Sequence, residues 1–108
     1  GIFTFPSTGY WWITAQVRWT AGGGANYNTC NLYTTHDNST YAVAAQVSDT
    51  IGVGNDYGGM SLSYIFDVTS TSNCKIAMYI AQANDTNSTA GSTDAHLTGL
   101  TFIRLADT

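Results

Sequence analysis

The side chains able to do chemistry in this sequence are few and scattered. Asp94 and His96 are two apart, a spacing that on a strand puts both on one face. A carboxylate there could orient the imidazole for general-base or metal work. His36 and Asp37 read instead as a turn, where Asp is favoured because its side chain caps the backbone. Cys30 and Cys74 lack the paired spacing of a zinc site. Both fall in strand-like segments, which leaves buried free thiols and a single bridge both open, the free thiols favoured. Serines are plentiful, yet no G-x-S-x-G elbow occurs. Gly22-Gly23-Gly24 and Gly52-Val53-Gly54 lack the lysine and the strand-to-helix setting of a phosphate loop. With no Glu in the chain, a glycosidase carboxylate pair would have to come from scattered aspartates. Asp49, Asp56, Asp85 and Asp94 lie in or beside loop-like segments, where hard oxygen ligands suit calcium, although no EF-hand spacing is present. No catalytic residue is assigned, no enzyme activity is expected, and calcium is the one cofactor these residues leave open.

The elements that would hold such groups are strands. A chain of 108 residues has room for one domain and one core. It carries a single Lys and two Arg against seventeen Thr, nine Ser and eight Asn, so the straight-chain residues of exposed helix faces are nearly absent. Thr and the fourteen aromatics favour a half-buried pleated surface, and eleven Gly serve turns. Charged residues make up 9% of the chain, against roughly 25% in ordinary soluble domains. The surface is therefore polar through hydroxyls and amides, a kind common on extracellular and virion-surface proteins. A net charge of −4 argues against nucleic acid as a partner and against attraction to an anionic membrane. No apolar run approaches the ~18 residues of a transmembrane helix, so membrane insertion is not expected. The start at Gly1 rather than Met reads as a piece of a longer chain. Sequons stand at Asn38, Asn84 and Asn87 and matter only in a eukaryotic secretory pathway.

Period-2 alternation recurs along the chain with turn residues between the runs, which predicts an antiparallel β-sandwich or barrel of seven or eight strands. Strands are expected over 2–5, 10–19, 28–35, 41–47, 60–68, 74–82 and 97–105. In 10–19 the inward face is Trp11, Ile13, Ala15, Val17 and Trp19. The outward face, Tyr10, Trp12, Thr14, Gln16 and Arg18, pairs two large aromatics with polar residues. Tyr41, Val43, Ala45 and Val47 read as an inward face. The expected core is Trp11, Ile13, Val17, Leu62, Phe66, Ile76 and Met78. Residues 52–59 form a Gly-rich loop, and 83–94 a long exposed Asn/Thr/Ser-rich one.

Two segments add a resemblance. Gly1-Ile2-Phe3-Thr4-Phe5-Pro6-Ser7-Thr8-Gly9-Tyr10-Trp11 resembles the "G-x-F-x-x-P-x-x-G-x-Y" opening of globular heads in the tumour-necrosis-factor and complement superfamily. His96-Leu97-Thr98-Gly99-Leu100-Thr101-Phe102 resembles the closing "F-S-G-F-L-L" strand of the same family. Trp11 stands where the family usually has Tyr, Leu97 where it usually has Phe, and the family's first strand would precede Gly1. The resemblance implies a jelly-roll β-sandwich that assembles as a homotrimer, binds partners and has no catalytic site. Tyr10, Trp12, Gln16 and Phe102 are then expected at the trimer interface. Asn55, Asp56 and Tyr57, a mix of hydrogen-bonding groups with one aromatic platform, are expected in a receptor-binding loop. Taken with the start at Gly1, the hydroxyl-and-amide surface and the lack of secretory features, the resemblance leads to the expectation of a fibre tip or capsid decoration domain on a virion, contacting a host-surface glycan or protein. The alternatives are a secreted or spore-surface ligand domain with a protein receptor, and a carbohydrate-binding β-sandwich module.

Overall fold

The computed structural model describes residues 1–20, 27–50, 57–82 and 87–108. They form eight strands: β1 (Ile2–Thr4), β2 (Gly9–Thr20), β3 (Tyr27–Thr35), β4 (Ala42–Thr50), β5 (Tyr57–Val68), β6 (Lys75–Gln82), β7 (Ser88–Thr89) and β8 (Gly99–Ala106). No helix occurs among the described residues. Every pairing is antiparallel. One sheet has the order β1-β6-β3-β4; in the other, β5 flanks β2 on one side while β7 and β8 pair with β2 on the other.

The two sheets share one core. β2 is the clearest case of why these residues form a strand: β-branched and aromatic side chains suit the pleat, and strict alternation sorts them. Its odd positions, Trp11 through Trp19, are buried, and its even positions are exposed or half-buried. Phe66 and Val68 of β5 join them from the same sheet, and Cys30, Leu32 and Ile76 close the core from the other. Each fully buried aliphatic side chain of this kind stabilises the fold by about 1.5–3 kcal/mol. Phe5, just before β2, sits at an aromatic cluster, with its ring 5.5–5.7 Å from those of Trp11, Phe66 and Phe102.

Five of the seven expected core residues are buried. Leu62 and Met78 pack against the core but remain partly exposed. Leu62 lies on β5, an outer strand of its sheet, and faces β4, the outer strand of the other, whose inward side chains there are the small Ala45 and Val47. Solvent reaches in from that side.

The phase expected for residues 41–47 is half right. Leu32 pairs with Ala45 but Tyr33 pairs with Val43, so Ala44 is an extra residue in β4. Such a bulge reverses the alternation on one side of it. Ala45 and Val47 face inward, whereas Val43 is exposed with Tyr33 on the outer face. The turn before β4 is built by Asp37. Its Oδ1 accepts the backbone N–H of Thr40 at 2.7 Å and of Ser39 at 2.9 Å, and the Thr35 hydroxyl at 2.9 Å. Those donors, Thr40 first, hold its carboxyl well below the usual carboxylate range. Asn38 completes the turn in the left-handed region, at φ 63°.

Cys30 and Cys74 are both buried free thiols, so of the two open readings the bridge is not formed. Burial pushes the Cys30 thiol up to about 11. The loop expected over 83–94 is only partly described: residues 83–86 lie outside the described residues, and Ser88–Thr89 pair with Trp19 and Thr20 as β7. Asn87 beside them is buried, its Nδ2 donating to Asn28 Oδ1 at 3.3 Å.

Candidate functional site

The outer face of the β5-β2-β8 sheet carries the residues expected to bind. Because the odd side chains of β2 fill the core, the even ones stand together outside, and antiparallel register sets neighbours beside each. Trp12 pairs with Ile65 of β5 on one side and Ile103 of β8 on the other. The three make an apolar row across three strands, with Trp12 40%, Ile65 58% and Ile103 45% exposed. Tyr10 lies one position along the same face of β2. Leu105, beyond the register shift in β8, is exposed near it.

Farther along β2 the face turns polar. Thr14 lies between Ser63 and Thr101, and Gln16 between Ser61 and Gly99. Gln16 Nε2 donates to the His96 carbonyl at 2.7 Å, fastening the segment that leads into β8. Next comes Arg18, whose guanidinium carbon lies 5.0 Å from the centre of the Tyr57 ring, a cation–π contact. A cleft of about 560 Å³ opens here, lined by Gln16, Arg18, Tyr57, Gly58 and Ser61 among others. Gly58 matters to its floor: a Cβ there would stand 2.5 Å from the buried Trp19 indole, which lies directly across the strand pair.

Of the four residues expected at an interface, Tyr10, Trp12 and Gln16 share this outer face. Phe102 does not. It pairs with Ile13, so the pleat turns it inward, and its ring packs against Phe3 and Phe5 at 5.7 Å. Tyr57 is 71% exposed and stands at the polar end of the face. Asn55 and Asp56 lie outside the described residues. Ile65, Ile103 and Leu105 were not foreseen. Their only signal is a lone apolar residue at an outward position of an alternating strand, as Ile65 stands between Ser63 and Asp67.

His36 packs its ring against Phe66 at 5.1 Å, and its Nδ1 lies 3.9 Å from the sulfur of Cys74, which is wholly buried. Asp94 and His96 precede β8 rather than sharing a strand face, because β8 begins at Gly99. Among the described residues no group of three His, Cys or Asp could hold a metal ion; of the four aspartates considered for calcium, Asp56 and Asp85 are not described. All three cations of the chain sit in strands: Arg18 in β2, Lys75 at the start of β6 and Arg104 in β8. Lys75 Nζ donates to Asn38 Oδ1, and Arg104 pairs with Asp107 while its Nε donates to the Thr8 carbonyl at 3.0 Å.

Neither a family model nor a curated protein matches the chain.

Proposed function

We propose that this chain is a non-enzymatic binding module, the jelly-roll head of a homotrimeric fibre tip or capsid decoration domain exposed on a virion. The observation that carries the reading is the apolar row Ile65–Trp12–Ile103 with Tyr10 and Leu105 beside it. Contiguous exposed apolar surface on a chain rich in hydroxyls and amides marks an interaction site. Its position on a continuous sheet face suits a second and third copy of the same chain. Connectivity supports the same fold: the chain passes between the two sheets five times, and only β3 and β4 are consecutive neighbours within one sheet. The polar end of the face, with Arg18 and Tyr57, then lies beside the junction between subunits. There it contacts a host-surface glycan or protein. A surface with so few ionised groups suits an extracellular setting, since its contacts vary little with salt and pH.

Light scattering at micromolar concentration tests the assembly. The expected mass is three times that of the 11.5 kDa chain, and a monomer would sink the proposal. Trp12→Asp places a charge in the middle of the apolar row. It is expected to give monomers with an unchanged far-ultraviolet strand signal.

A further inference from the structure

The opposite surface, the outer face of the β1-β6-β3-β4 sheet, holds a second built feature. Register aligns Ile2, Ala77, Tyr33 and Val43 in one row across four strands, and Tyr79, Asn31 and Gln46 in the next. Ala77, between Ile2 and Tyr33, is too small to fill the space over its strand. The result is a groove of about 350 Å³ with an alanine floor and walls from Ile2, Tyr33, Tyr41 and Tyr79. Tyr41 reaches it only because the Ala44 bulge reverses the phase of β4. Tyr33 and Tyr79 meet edge to face, with ring centres 6.4 Å apart and planes at 82°. That contact fixes both rings: Tyr33 is half-buried, while Tyr79 is 57% exposed.

We propose that this groove binds a neutral saccharide. Its volume lies within the range of small-ligand sites, about 300–1,000 Å³. A pyranose ring has an apolar face of C–H groups and a rim of hydroxyls. Rigid tyrosine rings supply the matching apolar platform and carry hydroxyls of their own. Beside them Gln46 Nε2 donates to Asn31 Oδ1 at 2.6 Å, which sets the Gln46 amide and leaves its Oε1 to accept from a ligand hydroxyl. Charge decides the class. Gly1 also lines the groove, but no side chain lining it is ionised, and Lys75, the one Lys or Arg side chain in this sheet, is engaged by Asn38. An anionic ligand would lose its hydration with no side chain to compensate it. A second copy of this chain suits the aliphatic row on the other sheet better than a hydroxyl-bearing groove. The inference rests on reading the chain as a binding module and adds the site and the ligand class.

The experiment is saturation-transfer NMR on the intact protein. One panel holds neutral oligosaccharides built from glucose, galactose, mannose or N-acetylhexosamines, and a second holds the same sugars bearing carboxylate or sulfate. At least one neutral sugar is expected to bind, with affinity reduced about tenfold or more by Tyr79→Ala. Tyr79→Phe, which keeps the ring, should retain most of it. Binding restricted to the acidic panel, no binding at all, or binding unchanged in a folded Tyr33→Ala/Tyr79→Ala variant would each overturn the proposal. Light scattering on the same samples separates the two readings: a monomer that still binds a neutral sugar through Tyr79 keeps this site and removes the trimer.

Discussion

Single side chains in this fold are constrained most tightly where a large ring meets a glycine. Trp19 is wholly buried, and its indole occupies the place of the missing side chain of its cross-strand partner Gly58. Gly58→Ala would put a methyl group 2.5 Å from ring atoms of a wholly buried side chain, so the ring would have to shift. Overpacking of this kind costs about 1–3 kcal/mol. Gly59→Ala is the control, since its added carbon would meet only the Val17 carbonyl at 3.3 Å. Thermal or urea unfolding should therefore show Gly58→Ala well below the parent and Gly59→Ala close to it. Equal stability of the two variants would show that the ring has room. Gly9 is fixed for a different reason: its φ of 140° is one that residues with a side chain rarely adopt, and a Cβ would also strike the Ala106 carbonyl.

At the level of elements, the β3–β4 turn depends on one ionised group. Asp37 has its pKa lowered by the donors it accepts, so it contributes stability that is fully present above the ordinary carboxylate value of about 4. That contribution falls away progressively below about 4 and is gone once the pH has dropped past the depressed native value. Asp37→Asn should accordingly lower the melting temperature at pH 7, and the gap to the parent should narrow only in strong acid. A gap that closed already at pH 5 would mean the turn does not rely on the charge. Most strands were readable in advance, because alternation of apolar and polar residues is local and survives without knowledge of partners; β7 and the start of β5 at Tyr57 instead fall in the segments expected as loops over 83–94 and 52–59. The bulge at Ala44 was not readable: one added residue in a run of Ala and Val leaves the composition unchanged while reversing which side Tyr41 and Val43 occupy. The candidate site divides in the same way. Tyr10 and Trp12 were visible as aromatics on the polar side of a single strand, whereas Ile65 and Ile103 are isolated in sequence. Only antiparallel register brings them beside Trp12, and strand pairing over such separations is not written in local pattern. Phe102 faces the core rather than this outer face for the same reason, since its side is set by pairing with Ile13.

For the molecule as a whole, two sheets back to back leave two outer faces that each mix apolar and polar groups: Trp12, Ile65 and Ile103 beside Gln16 and Arg18 on one, Ile2, Val43 and tyrosines beside Asn31 and Gln46 on the other. The strand placement of every cation has a consequence for turnover. Trypsin cuts only after Lys or Arg, and it must draw several residues of extended chain into its cleft. Arg18, Lys75 and Arg104 are the whole supply, and each is hydrogen-bonded into a sheet rather than carried on a loop. The native chain thus presents no ready scissile bond, and digestion must wait for strands to separate. Incubation with trypsin under native conditions should leave the chain intact for as long as it stays folded, and added urea should accelerate cleavage in step with unfolding. Rapid nicking after Arg18 without loss of the strand signal would show that β2, the strand that carries Trp12 and Arg18, opens on its own. Resistance would give the protein a durability in protease-rich surroundings that owes nothing to a disulfide.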